Sequence, residues 1–114
     1  MAGVTWRDGM KVATNVLFDP RKVMLAHLVV KRFCNLDCAY CNEFDKVSKP
    51  VPLEQLFARI DRLAALGTQI VTLTGGEPMT HPGHADIIRH IRERGMVATT
   101  ITNGFLMTKT SIEA

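Results

Sequence analysis

Three cysteines within eight residues are the strongest chemical signal in the sequence. Cys34, Cys38 and Cys41 are separated by three and then by two residues, and the chain has no other cysteine. Thiolates are soft ligands that suit iron–sulfur clusters or zinc. An odd, closely spaced set is a poor disulfide framework. The spacing therefore predicts a metal site in a reducing compartment.

The number of cysteines bears on what the metal would do. A cubane cluster has one iron for each of four ligands, so three local cysteines leave one iron open to an outside ligand. A catalytic metal site needs such an open position, whereas a structural site is closed. Two alternatives stay open at this point: a zinc site completed by His27 or His81, and three cysteines that bind nothing.

A second unusual segment is Gly75-Gly76-Glu77-Pro78, which follows an apolar run. Glycines lack a Cβ, so they allow a sharp turn and a close approach of the backbone to a ligand. The alternative is a plain strand-to-loop turn with a surface glutamate. Asn103-Gly104 ends the next apolar run in the same way, and an Asn-Gly pair is also common in ordinary turns.

The elements that must position these residues alternate between strands and helices. Apolar runs predict buried strands at residues 24–33, 69–74 and 96–102. Apolar residues at helical spacing predict helices at 53–66 and 84–94, ended by Gly67 and Gly95, and a further helix near Thr110 or Ser111. This order indicates βαβ units on a parallel sheet. Residues 1–22 have no strong period and could hold a short helix or strand.

The two motifs together resemble the radical S-adenosylmethionine (radical SAM) superfamily. Cys34-x3-Cys38-x2-Cys41, with Tyr40 before the last cysteine, is similar to the family's cluster motif, and residues 75–78 are similar to its GGEP motif. Each motif follows a predicted strand, as in the family. The resemblance covers about residues 24–104.

This resemblance implies two cofactors and a set of residues that hold them. The three cysteines would bind a [4Fe–4S] cluster, and the amino and carboxylate groups of SAM would bind the fourth iron. The expected SAM contacts are Tyr40 through its backbone, the amino-group site Gly75, Gly76, Glu77 and Pro78, and Asn103. No residue is assigned as catalytic, because the cofactors supply the reactive chemistry. The implied reaction is reductive cleavage of SAM to a 5′-deoxyadenosyl radical, which abstracts hydrogen from a substrate.

The implied fold is α/β: the N-terminal βα units of a partial TIM barrel, usually of six βα units. We expect a lead-in at residues 1–22 and an incomplete radical SAM core domain at 23–114. Three parallel strands leave an unpaired edge, so we expect a truncated or fragmentary chain that is incomplete as an enzyme by itself. Non-catalytic iron–sulfur or zinc binding, or an inactive fragment, are the alternative functions.

The composition and charge of the chain argue against a nucleic-acid-binding protein and a membrane protein. Hydrophobic residues make up 46% of the 114 residues and the net charge is +3, which is ordinary for a globular domain. The basic residues are scattered, so no nucleic-acid site is expected. Without a targeting signal or a long apolar run, we expect a cytoplasmic protein with no membrane partner. The partners implied by the resemblance are an unknown substrate and an electron donor such as a flavodoxin or ferredoxin.

Overall fold

The computed structural model describes residues 3–42 and 44–113. Met1, Ala2 and Ala114, at the ends of the two expected segments, and Glu43, next to the cysteines, lie outside the described residues. The elements in chain order are α1 (Trp6–Phe18), β1 (Leu25–Lys31), α2 (Leu53–Ala65), β2 (Ile70–Gly75), a 3-10 turn (Pro78–Thr80), α3 (His84–Glu93), β3 (Val97–Thr100) and α4 (Lys109–Glu113).

The three strands form one parallel sheet in the order β1-β2-β3. The predicted α/β fold with three parallel strands is therefore confirmed, and within the described residues the sheet does not close into a barrel. The strands lie in chain order, and each parallel pair is joined by a crossover that contains a helix.

The core lies between one face of the sheet and helices α2 and α3. Each helix buries two residues of its apolar stripe, Leu56 and Ile60 on α2 and Ile87 and Ile91 on α3. These meet alternate residues of the strands, since side chains at every second position share a face. The buried strand residues in this cluster are Leu28, Val30, Val71 and Leu73. Leu66, the last residue of the predicted α2 stripe, is 57% exposed because the helix has already ended.

The predicted helix ends at Gly67 and Gly95 are confirmed. Both glycines have a positive φ, 80° and 79°, which an L side chain adopts only with strain. The residue after each glycine donates a backbone hydrogen bond to a carbonyl in the last helical turn: Thr68 N–H to Leu63 O and Met96 N–H to Ile91 O. This left-handed end lets the chain leave each helix and enter the following strand within a few residues.

Two predicted strands are shorter in the structure than the apolar runs. The register of β1 shifts between Val29 and Lys31, and the chain then pairs Phe33 with Asp45 of its own loop. Past the end of β3, the Ile101 N–H still donates to Leu73 O of β2, but the hydroxyl of Thr102 bonds to the buried side chain of Glu77. In both places the apolar pattern runs past the point where the sheet stops.

The segment before the sheet, which carried no clear prediction, forms helix α1. Asp8 accepts hydrogen bonds from the Thr5 backbone N–H at 2.8 Å and the Thr5 hydroxyl at 2.9 Å, which fixes the first turn. None of the helix residues is buried. The Asp8 carboxylate lies 3.4 Å from the Arg92 guanidinium of α3. Helix α1 therefore contacts α3 through this ion pair and adds no residue to the buried core.

Candidate functional site

The ends of the three strands bring the two sequence motifs together. Strand β1 leads into the cysteine loop, which we define as residues 34–42, and β2 leads into the glycine turn, residues 75–78. Strand β3 leads into Thr102 and Asn103. Carboxyl ends of parallel strands lie at the same edge of a sheet, so segments far apart in the sequence become neighbours here.

The glycine turn lies so close to the end of β1 that side chains cannot fit. A Cβ on Gly75 would lie 1.9 Å from the carbonyl oxygen of Lys31, and one on Gly76 would lie 2.2 Å from that of Arg32. The Gly76 N–H donates to Lys31 O and the Glu77 N–H to Phe33 O, both at 2.9 Å. The two glycines are thus required by the contact between β2 and the start of the cysteine loop. Their small size therefore serves a contact within the protein, whether or not a ligand also lies against them.

Glu77 is buried, with 1% of its surface exposed, so the alternative of a surface glutamate is wrong. Its Oε1 accepts from the Met79 N–H at 3.0 Å and the Thr102 hydroxyl at 2.7 Å. Its Oε2 accepts from the Asn103 N–H at 2.8 Å. A buried carboxylate is costly unless such donors surround it. We call Glu77 with Met79, Thr102 and Asn103 the strand-end network.

Asn103 joins the strand-end network to the cysteine loop. Its side-chain Nδ2 lies 2.9 Å from Asn35 Oδ1 and 3.9 Å from the sulfur of Cys34. Its Oδ1 accepts from the Phe105 N–H at 3.1 Å, which is the Asx turn that an Asn-Gly pair often forms. One side chain therefore makes the turn and also reaches the first cysteine.

The cysteine loop is fixed at its beginning. Cys34 is buried, its N–H donates to Asp45 O at 3.2 Å, and the Asp45 N–H donates to Arg32 O at 3.0 Å. The Lys46 ammonium donates to the carbonyls of Cys34 and Leu36, at 2.9 and 2.6 Å. Hydrogen bonds from Ser48 lower the pKa of Asp45, whose carboxylate also accepts from the Val47 N–H.

The second half of the loop is more open. Cys38 and Cys41 are half-buried, and the Cys41 N–H donates to Cys38 O at 3.0 Å. The Tyr40 side chain is 89% exposed. A hydrogen bond to Cys38 raises the pKa of Tyr40.

The donor chemistry of the loop fits the implied cluster. All three cysteines are free thiols on one loop. Within residues 3–42 and 44–113, no group of three His, Cys, Asp or Glu side chains is close enough to hold one metal ion. The protein ligands of a cubane cluster bind different irons and stand farther apart than the ligands of a single ion. The loop thus supplies three soft donors without gathering them around one point.

The two histidines that follow the glycine turn, His81 and His84, both have ring nitrogens within hydrogen-bonding distance of protein groups. His81 is 4% exposed, its Nδ1 accepts from the Gly83 N–H at 3.0 Å, and its Nε2 lies 2.8 Å from Val51 O. The proton must then be on Nε2, so both ring nitrogens are used and neither is available to zinc. His84 is half-buried and 3.2 Å from the Thr100 hydroxyl. Burial lowers the pKa of His84, with His81 adding to the effect and Glu77 opposing it.

An open cleft of about 260 Å³ lies beside the glycine turn. It is lined by His27 and Val29 of β1, by Arg32, and by Thr74 and Gly75 of β2. Because Leu28 and Val30 face the helices, His27 and Val29 belong to the opposite face of the sheet. A larger cavity of about 480 Å³ lies between Val4, α3 and β3 and includes no residue of either motif.

Known proteins resemble this chain in both sequence and fold. The model of the radical SAM superfamily matches residues 28–114. The chain is 34% identical over 83 residues to the AdoMet-dependent heme synthase of Methanosarcina barkeri, covering 70% of this chain and 24% of that protein. It is 31% identical over 105 residues to the Fe-coproporphyrin III synthase of the same organism, covering 89% and 26%. With the GTP 3′,8-cyclase of Clostridium perfringens it shares 35% identity over 81 residues, covering 65% and 25%.

The solved structures show the same architecture. SuiB of Streptococcus suis bound to S-adenosylmethionine superimposes with a TM-score of 0.68 at 17% identity, covering 94% of this chain and 24% of SuiB. SuiB bound to its precursor peptide SuiA gives 0.69 at 20% identity, covering 94% and 25%. The open sheet therefore has the fold of part of the radical SAM barrel.

The chain belongs to the radical SAM superfamily, whose members bind a [4Fe–4S] cluster and SAM. It spans about a quarter of the length of the curated relatives that it matches. Within the described part of the chain, no helix has the length and apolar character needed to cross a bilayer.

Proposed function

We propose that this chain carries the cluster-binding and first SAM-binding elements of a radical SAM enzyme. The observation that supports this most is the meeting of the two motifs: the glycine turn packs its backbone against the residues that lead into Cys34. Cys34, Cys38 and Cys41 would hold three irons of a [4Fe–4S] cluster. When bound, the cluster would supply the electron that cleaves SAM to methionine and a 5′-deoxyadenosyl radical, which then takes a hydrogen atom from the substrate.

The residues of this chain would bind and orient SAM. In this proposal the stretch Gly75, Gly76, Glu77 and Pro78 receives the methionyl amino group, Asn103 offers a further polar contact, and Tyr40 contacts the adenine through its backbone. The Glu77 carboxylate already accepts three hydrogen bonds from the protein. A carboxylate has about four acceptor positions, so one remains for an ammonium, and the main role of Glu77 is to hold the turn in shape.

The wider assignments follow from the same proposal. Residues 1–22 would be a lead-in and residues 23–114 an incomplete radical SAM core domain, with a flavodoxin or ferredoxin as electron donor. The named relatives concern heme, Fe-coproporphyrin III and GTP, and SuiB binds a precursor peptide. Since these differ so much, the SAM chemistry is what we carry over to this chain, together with an organic substrate that gives up a hydrogen atom.

The first test is cluster assembly. The chain would be reconstituted without oxygen with iron and sulfide, and iron, sulfide and the absorption spectrum would be measured. We expect about four irons and four sulfides per chain and a charge-transfer band. Cys38→Ala should abolish loading, because the cubane would lose one of three protein ligands. Asn42→Ala, in the same loop, is the matched control and should load fully.

Two results would contradict the proposal. Full iron content in Cys38→Ala would overturn the ligand assignment. Binding of zinc but not iron by the unaltered chain would favour a structural zinc module. With a loaded cluster and a chemical reductant, the protein that contains this chain in full should convert SAM to 5′-deoxyadenosine, and its failure to do so would leave a non-catalytic iron–sulfur module.

A further inference from the structure

The three cysteines differ in the hydrogen bonds that their sulfurs receive. The sulfur of Cys34 lies 3.4 Å from the Leu36 backbone N–H and 3.9 Å from Asn103 Nδ2. It is also the most buried of the three. The Leu36 contact comes from the loop itself, but the Asn103 contact comes from the end of β3, 69 residues later in the chain.

The orientation of the Asn103 amide is fixed by its neighbours. Its Oδ1 must be the atom that faces the Phe105 N–H, because only an oxygen can accept that hydrogen bond. The Nδ2 group is then directed at Asn35 Oδ1 and the Cys34 sulfur. The Asn103 backbone is held in turn by Glu77 Oε2. The amide therefore cannot flip without breaking contacts on both of its sides.

We propose that Asn103 raises the reduction potential of the cluster by donating a hydrogen bond to the Cys34 sulfur, and that Glu77 is a positioning residue for this contact. The inference rests on the proposed function, since it requires the cluster at the cysteine loop. Reduction adds negative charge to a cluster and its thiolates. An N–H directed at a thiolate stabilises the reduced form more than the oxidised form, which makes reduction easier.

The experiment compares Asn103→Ser with the unaltered chain, both reconstituted and free of SAM. Serine can still accept from the Phe105 N–H and form the turn, but it is too short to reach Cys34. Asn103 is exposed, so the variant should fold. The midpoint potential, measured by redox titration followed by electron paramagnetic resonance, should become more negative. The expected size is about a fivefold fall in the ratio of reduced to oxidised cluster at a fixed potential, which matches one neutral hydrogen bond.

Asn42→Ser is the matched control, because it makes the same change on an exposed residue next to Cys41. Its potential should not change. Asn103→Asp, which keeps the turn oxygen but removes the donor and adds a charge, should shift the potential further in the same direction.

The outcomes are separable. If the unaltered chain loads no cluster, the proposed function fails. If it loads and the potential of Asn103→Ser is unchanged, the inference about Asn103 is wrong and the residue serves SAM or the turn alone. Loss of loading in a folded Asn103→Ser would also overturn it, since Asn103 would then be needed for assembly and not for tuning.

Discussion

The strand-end network and the cysteine loop are neighbours, but the protein holds them in very different ways. Glu77 is buried, and three donors from two separate segments fix its carboxylate. In the cysteine loop only the start is held so firmly, at Cys34, while Cys38 and Cys41 are half-buried and Tyr40 is exposed. One half of the site is fixed by hydrogen bonds within the protein, and the other half keeps two of its thiols accessible.

This difference is informative about the order of assembly. A network of buried hydrogen bonds forms as part of folding, because leaving any member unpaired is costly. Accessible thiols at the surface cost little to leave unligated. We therefore expect the fold and the strand-end network to exist before any cluster is bound, and the outer half of the cysteine loop to take its final shape around the metal.

The largest effect should come from the backbone contact next to both regions, where the glycine turn meets the residues that lead into the cysteine loop. Gly76→Ala would place a Cβ 2.2 Å from Arg32 O and 2.4 Å from Phe33 O. These are backbone atoms that cannot move aside without shifting the start of the cysteine loop. We expect a loss of about 4 kcal/mol or more in the free energy of unfolding, which is most of the stability of a small domain. Urea denaturation followed by circular dichroism would measure it.

The control for this prediction is Gly9→Ala in α1, where a Cβ would meet nothing within 4 Å. Alanine is the better helix former by about 1 kcal/mol, so this variant should be as stable as the unaltered chain or slightly more. If both variants unfold at the same urea concentration, the close approach of the glycine turn to β1 is wrong.

A smaller loss of stability, confined to the strand-end network, is expected for a substitution of Glu77 in the metal-free protein. Glu77→Gln keeps one oxygen acceptor, but its amide nitrogen must face either the Met79 N–H or the Asn103 N–H, and neither of these can accept a hydrogen bond. A loss of about 2 to 3 kcal/mol in the free energy of unfolding is expected, the cost of leaving a buried donor unpaired. The urea midpoint should fall with an unchanged slope.

The comparison between regions supplies the controls. Glu54→Gln, in the first turn of α2 on an exposed residue, should cost only about 0.5 kcal/mol. Cys38→Ala, in the open half of the cysteine loop, should leave the stability of the metal-free protein unchanged. A destabilisation by Cys38→Ala as large as that by Glu77→Gln would remove the distinction between a preformed and an accessible half.

The sequence was sufficient for the parts of the molecule that local patterns control. The strands, helices α2 and α3 and the helix ends at Gly67 and Gly95 follow from apolar period and glycine position, and the structure confirms them. The two motifs could be recognised because each is a contiguous run of residues. Which motif residues contact SAM stays a prediction.

The missed features depend on partners far apart in the sequence. Glu77 bonds to Thr102, 25 residues away, and His81 lies against Val51, 30 residues away. Neither residue looks buried from its neighbours, since a Glu before Pro and a His before Pro are both ordinary in exposed turns. The sequence held a weak signal that Glu77 is buried. This residue follows the second strand, and the βαβ order brings the end of that strand close to the ends of its neighbours.

The smallest predicted effect is the contribution of His84 to the pH dependence of the free energy of unfolding. Burial lowers the pKa of His84, so near its ordinary value of about 6.5 the unfolded chain binds more protons at this position than the folded chain. Stability then rises with pH in this range. The contribution is complete above the unfolded pKa and is lost as the pH falls through the lower, folded pKa. Urea midpoints measured between pH 8 and pH 5 should fall more steeply for the unaltered chain than for His84→Gln, which can still bond to Thr100. Parallel curves would show that His84 is equally solvated in the folded and unfolded states. The rigid, buried part of the site would then consist of the strand-end network around Glu77 and would not extend to His84.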